Sequence, residues 1–150
     1  MTNAKRNALR LLLVDDSEAD VLLTRLAFEE LDVPHELQVA QDGVEALNLL
    51  RSGTQALPDL ILLDLNMPRM GGLEVLLELK ANPAWRNVPV IVLTTSAAAS
   101  DVWESYQRYA NAYIRKPASL PDFVESLRRL HLFWQTVALF APDEPDLGRR

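Results

Sequence analysis

The chain has 150 residues, of which 49% are hydrophobic, enough for one domain with a substantial core. Its 15 basic residues against 21 acidic give a formal charge of −6, which argues against a nucleic-acid surface, and zero cysteines exclude disulfides and thiolate metal sites. The first apolar stretch breaks on Asp15-Asp16 too early for a signal peptide, and no run is long enough to span a bilayer; a cytoplasmic protein with no membrane or nucleic-acid partner is expected.

Leu11-Leu12-Leu13-Val14 reads as a buried strand running into Asp15-Asp16. Ser17 to Leu31 reads as a helix: Ser17 can cap it, acids occupy its first turn, and Val21, Leu22 and Leu26 recur at helical spacing. Asp32-Val33-Pro34 breaks that helix, and His35 to Ala40 is a modest strand. Gln41-Asp42-Gly43 turns the chain into a helix with Val44, Leu47 and Leu50 inward, ending at Gly53. Pro58-Asp59 opens a third strand, Leu60-Ile61-Leu62-Leu63, which stops on Asp64. After a loop containing Pro68, a helix restarts near Gly72, carries Leu73, Leu76, Leu77 and Leu79, and stops near Asn82-Pro83. Val90-Ile91-Val92-Leu93 then runs into Thr94. Ser100 can cap a helix to about Ala110; its Trp103, like Trp85 before it, reads as a partly buried surface or packing residue without special function. Ala112-Tyr113-Ile114 leads through Arg115 to Lys116-Pro117, and Ser119 starts a last helix with Phe123, Leu127 and Leu130 on one side. Strand and helix alternate five times across short connections. This predicts an α/β fold, a flavodoxin-like doubly wound five-stranded parallel sheet in the order 2-1-3-4-5 with five helices. The expected domain is 9–132, after an N-terminal extension 1–8, and 133–150 form a C-terminal aromatic extension that becomes a disordered tail from Pro142.

Parallel strands place their carboxyl ends on one edge, where open α/β sheets bind ligands. Asp15, Asp16, Asp64, Thr94 and Lys116 should therefore converge there. A carboxylate is a nucleophile that needs no deprotonation at neutral pH, so it can accept a phosphoryl group. The obstacle is repulsion between two anions. Mg²⁺ removes it by bridging carboxylate and phosphate oxygens, and a lysine adds a second positive charge. Mg²⁺ takes oxygen ligands and keeps several waters, so two or three carboxylates and a backbone carbonyl suffice. Without a cation, three crowded carboxylates would repel one another.

From about Ala8 to His131 the chain resembles the receiver domain of bacterial two-component response regulators, through LLLVDDSEAD, LILLDLNMPRMGG, VPVIVLTTS and AYIRKP in this order. The resemblance implies that Asp64 accepts the phosphoryl group from a histidine kinase. It implies that Asp16 ligates Mg²⁺ directly, that Asp15 holds it mainly through water, and that Asn66 offers its backbone carbonyl. Thr94 would hydrogen-bond the phosphoryl group and Lys116 would pair with another of its oxygens. Tyr113 stands at the family's switch-aromatic position, whose ring moves inward when the threonine engages phosphate. Thr95, bulkier than the small residue often found there, is expected to slow access to the acyl phosphate, with Ser96 and Asn66 as further tuning positions. The Lys116-Pro117 peptide is expected to be cis, which costs far less before proline than elsewhere. Such a protein catalyses only its own phosphorylation and dephosphorylation.

Too few residues follow the last helix to build an output domain, so a single-domain regulator acting through its own protein contacts is expected. The segment HLFWQTVALFAP resembles the tail of stand-alone receivers that partner phytochrome-type histidine kinases. Phe133, Trp134, Val137 and Phe140 are candidates for a homodimer surface, because aromatic residues are enriched at interface centres; the alternative is a tail folded back on its own domain. Other readings are a phosphorylation-independent scaffold, or a phosphate sink or relay for a non-phytochrome kinase. A phosphatase of the haloacid dehalogenase type would want a second Asp two residues after Asp64, where Asn66 stands. A nucleotide-binding domain would want a Gly-rich loop where Asp15-Asp16-Ser17 stands.

Overall fold

The computed structural model describes residues 8–53, 56–65, 67, 70–94, 99–108, 110–117 and 119–136, with backbone alone at 99 and 133–136. Five parallel strands, β1 (Leu9–Val14), β2 (His35–Ala40), β3 (Leu60–Leu63), β4 (Val90–Thr94) and β5 (Ala112–Arg115), form one sheet in the order β2-β1-β3-β4-β5. Helices α1 (Glu18–Leu31), α2 (Gly43–Ser52), α3 (Gly72–Ala81), α4 (Ala99–Gln107) and α5 (Leu120–Thr136) alternate with them. This is the expected flavodoxin-like architecture.

Two cores follow from the period of two along each strand. Leu11, Leu13, Leu60, Leu62, Ile91 and Leu93 face one way and pack with Ala27 and Phe28 of α1 and Phe123, Val124 and Leu127 of α5. Leu12, Val14, Ile61, Leu63, Val90 and Val92 face the other way and pack with Ala46 and Leu47 of α2 and Val75, Leu76 and Leu79 of α3. Because the buried stretches 11–14, 60–63 and 90–93 of β1, β3 and β4 are covered on both faces, they are unbroken apolar sequence; edge strand β2 alternates in burial instead.

Local chemistry sets the helix ends. Ser17 Oγ accepts a hydrogen bond from Asp20 N–H at the start of α1, and Asp42 Oδ1 accepts one from Glu45 N–H at the start of α2. Asp32 closes α1 in the left-handed conformation at φ 57°, and Gly53 closes α2 at φ 64°.

Several expectations need correction. Of the apolar residues at helical spacing in α1, Leu22 and Leu26 are exposed, and the buried residues of that helix are Thr24, Ala27 and Phe28. Leu77 of α3 is likewise exposed. Helix α4 starts at Ala99, so Ser100 lies inside its first turn rather than capping it, and the helix ends at Gln107. Trp85 is a core residue beneath Arg51, whose guanidinium carbon lies 6.0 Å from the ring centroid, whereas Trp103 is 63% exposed. No Pro or Gly interrupts the chain between Asp122 and Ala141, and α5 runs on to Thr136, past the boundary expected at 132. The Lys116-Pro117 bond is trans, since no peptide among the described residues is cis. Trans is the lower-energy isomer even before proline, by roughly 0.5–1 kcal/mol.

Candidate functional site

The residues expected at the carboxyl edge of the sheet are held there by extensions of its hydrogen-bond ladders. Asp15 N–H donates to Ala40 O at 3.0 Å, Asp64 N–H to Val14 O at 2.9 Å, and Lys116 N–H to Thr94 O at 2.8 Å. The Asp15, Asp64 and Lys116 side chains therefore each leave from the first residue beyond a strand, on backbone fixed by the neighbouring strand. Thr94, the last residue of β4, is fully buried. Gly72 makes the close approach behind Asp64 possible: its N–H donates to Leu65 O at 3.0 Å, and a Cβ there would lie 2.7 Å from Leu65 Cα and press on the Asp64 carbonyl oxygen.

Asp15, Asp16 and Asp64 each offer a carboxylate oxygen, and these oxygens all lie within 4.8 Å of one another. Asp15 and Asp64 are buried and Asp16 is exposed. A hard divalent cation with its own waters suits an all-oxygen donor set with one member open to solvent. The donor set thus fits a metal, and this triad can coordinate one. Beside it, a groove of about 360 Å³ includes Asp15, Asp16, Leu22 and Arg25 in its walls.

Lys116 supplies the positive charge of the resting site. Its Nζ lies 2.7 Å from Asp15 Oδ2, 2.8 Å from Asp20 Oδ2 and 4.0 Å from Asp64 Oδ1. Burial lowers the ammonium's pKa, but hydrogen bonds to Asp15 and Asp20, with the charges of Asp15 and Asp64, outweigh it, and the net shift is upward. Asp15 also accepts from Ser17 N–H at 3.0 Å through Oδ1, so both of its oxygens are engaged.

Asp20 is the site residue that the sequence reading missed. An acid in the first turn of a helix is ordinary capping and dipole chemistry, and that reading concealed it. The available signal was its position one turn along from Asp15-Asp16 on the helix that leaves the acidic edge. Tyr113 is half-buried and packs against the α2–α3 core. Asn66, Thr95, Ser96, Val137 and Phe140, and the side chains of Phe133 and Trp134, lie outside the described residues.

A five-stranded parallel sheet in this order, with an acidic triad and a lysine at its carboxyl edge, places the chain among flavodoxin-like α/β proteins with a candidate cation site at that edge. The model of the response regulator receiver domain matches residues 11–128, and the chain belongs to that family. It is 40% identical over 134 residues to the response regulator Rcp1 of Synechocystis sp., a match covering 86% of this chain and 91% of that one. The probable methanogenesis regulatory protein FilR2 of Methanothrix harundinacea is 36% identical over 127 residues, covering 83% of this chain and 82% of its own. Among solved structures, the phosphorylated cyanobacterial phytochrome response regulator RcpA superposes with a TM-score of 0.84 at 37% identity, covering 90% of this chain and 99% of that one. No helix among the described residues is long and apolar enough to cross a membrane.

Proposed function

We propose that Asp64 accepts a phosphoryl group from a phosphohistidine of a histidine kinase, in a reaction that requires Mg²⁺. The observation that carries this reading is the meeting of Asp15, Asp16 and Asp64 within 4.8 Å, with the Lys116 ammonium 4.0 Å from Asp64. An Asp64 oxygen attacks phosphorus as the P–N bond breaks, and the imidazole leaves with the bonding pair. Mg²⁺, held by Asp16 directly, by Asp15 mainly through water, by Asp64 and by the Asn66 carbonyl, would supply charge neutralisation between carboxylate and phosphoryl oxygens. Lys116 then pairs with one phosphoryl oxygen and the Thr94 hydroxyl donates to another. Tyr113 follows Thr94 inward and reports the modification to a partner. Thr95, Ser96 and Asn66 tune access to the acyl phosphate.

The donor docks beside α1, where Leu22 is 57% exposed and lines the groove next to the acidic pair. The likeness to RcpA supports a phytochrome-type, light-sensing kinase as that donor. A homodimer held through Phe133, Trp134, Val137 and Phe140 provides the output surface, and exposed Leu132 at the start of that segment supports it. The experiment is incubation with acetyl phosphate, with and without EDTA, resolved on a phosphate-affinity gel. A shifted band that needs Mg²⁺ and disappears in Asp64→Asn is expected; transfer retained in Asp64→Asn, or indifferent to EDTA, contradicts the proposal. Transfer from a panel of purified kinases, with a phytochrome-type kinase fastest, tests the pathway.

A further inference from the structure

Asp20 is built to hold a lysine rather than to start a helix. Its backbone is already secured on both sides, because its N–H donates to Ser17 Oγ at 3.2 Å and its carbonyl accepts from Thr24 Oγ1 at 2.8 Å. The side chain contributes to neither bond. It reaches instead to Lys116 Nζ at 2.8 Å, 96 residues away in sequence. Lys116 is thereby shared between two carboxylates of different character. Asp15 is 1% exposed and also accepts from Ser17 N–H, whereas the Asp20 side chain is 35% exposed and lies on the solvent side. Asp64 stands farther off, at 4.0 Å.

We infer that Asp20 is a positioning residue, an internal counter-anion that holds Lys116 in the resting site and must release it when Asp64 carries a phosphoryl group. The inference rests on the reading of Asp64 as phosphoacceptor. An ammonium has three N–H donors, and Asp15 and Asp20 take one each. A phosphoryl group on Asp64 brings new negative charge to the side from which Asp20 draws the lysine. Asp20 then opposes phosphorylation in two ways: it competes for the ammonium, and its own charge repels the incoming anion. The more solvated of the two partners is the cheaper one to release, so the exchange is from Asp20, not from Asp15.

The same geometry predicts opposite effects on the cation. With Asp20 neutralised, the ammonium leans further onto Asp15 and Asp64, and an acidic charge is lost from the neighbourhood. Metal binding weakens while phosphoryl binding strengthens. A residue that merely supported the fold would move both in one direction.

The test uses the whole chain as wild type, Asp20→Asn and Asp20→Glu. Mg²⁺ affinity is measured by calorimetry, and beryllium fluoride affinity at saturating Mg²⁺ by ¹⁹F NMR. Asp20→Asn keeps the shape and loses the charge; it is expected to bind beryllium fluoride about threefold to tenfold more tightly and Mg²⁺ about twofold to fivefold more weakly. Asp20→Glu restores the charge and returns both values towards wild type. If Asp20→Asn changes neither affinity, or weakens both, the inference is overturned while the phosphoacceptor reading stands. A wild type that binds no beryllium fluoride overturns that reading and this inference with it.

Discussion

Lys116 and the carboxylates around it can be tested without any kinase. The Lys116 side chain is 9% exposed and its ammonium faces Asp15, Asp20 and Asp64, so removing it leaves three like charges together. Lys116→Met should lower stability in the absence of metal by about 1–3 kcal/mol, as loss of one partner from a buried ion pair does, reduced here because Asp20 is partly solvated. Mg²⁺ should restore most of that loss and should bind the variant at least as tightly as wild type; urea unfolding with and without Mg²⁺ checks both. The pKa of Lys116 is raised above the ordinary 10.5. Its stabilising contribution is therefore fully present below 10.5 and is lost as pH rises through the higher folded-state value. Metal-free wild type should lose stability above that pH more steeply than Lys116→Met. The meeting of Asp15, Asp16 and Asp64 with Lys116 beside them was legible in sequence because the chain reaches each of them just beyond a strand run. Asp20 was passed over, since an acid in the first turn of a helix reads as ordinary helix-start chemistry and its partner Lys116 lies 96 residues away.

At the scale of elements, alternation of apolar runs with helical stretches was enough to place every strand and helix, because buried parallel strands tolerate almost no polar residue. Which face a helix turns inward was less legible. In α1 the buried stripe contains Thr24, whose hydroxyl donates to Asp20 O at 2.8 Å and so enters the core with its polar group satisfied. Ala27 joins it, while the larger Leu22 and Leu26 face out. Counting leucines favours the wrong side. The β3–α3 connection carries a sharper test at Gly72, where a Cβ would stand 2.7 Å from Leu65 Cα and 3.0 Å from Asp64 C. Both are backbone atoms, so neither can rotate away. Gly72→Ala should cost about 2–3 kcal/mol in urea unfolding. Acetyl phosphate should also modify Asp64 more slowly in this variant, because the displaced backbone carries the acceptor. An unchanged midpoint and rate would show that α3 shifts without strain.

For the whole molecule, the sheet order and the converging acidic edge could be expected from sequence, since parallel strands joined by single helices leave few topologies. The extent of α5 could not, because the aromatic stretch that suggested an extension is itself uninterrupted by Gly or Pro and continues the helix to Thr136. If that stretch joins two copies, burying a few large side chains supplies several kcal/mol at about 25 cal/mol per Å², before association entropy is subtracted. Changing Phe133, Trp134 and Phe140 to polar residues should then convert a dimer to a monomer in light scattering at tens of micromolar, without slowing modification by acetyl phosphate. A monomeric wild type would instead show that the tail packs on its own domain. Phosphoryl acceptance by Asp64 can be read out by trapping the acyl phosphate. Sodium borohydride reduces an aspartyl phosphate to homoserine, and peptide mass mapping after reduction locates it. Homoserine at position 64, formed with Mg²⁺ and not with EDTA, is the predicted result; homoserine at Asp15 or Asp16, or none at all after reaction with a phosphodonor, would contradict it.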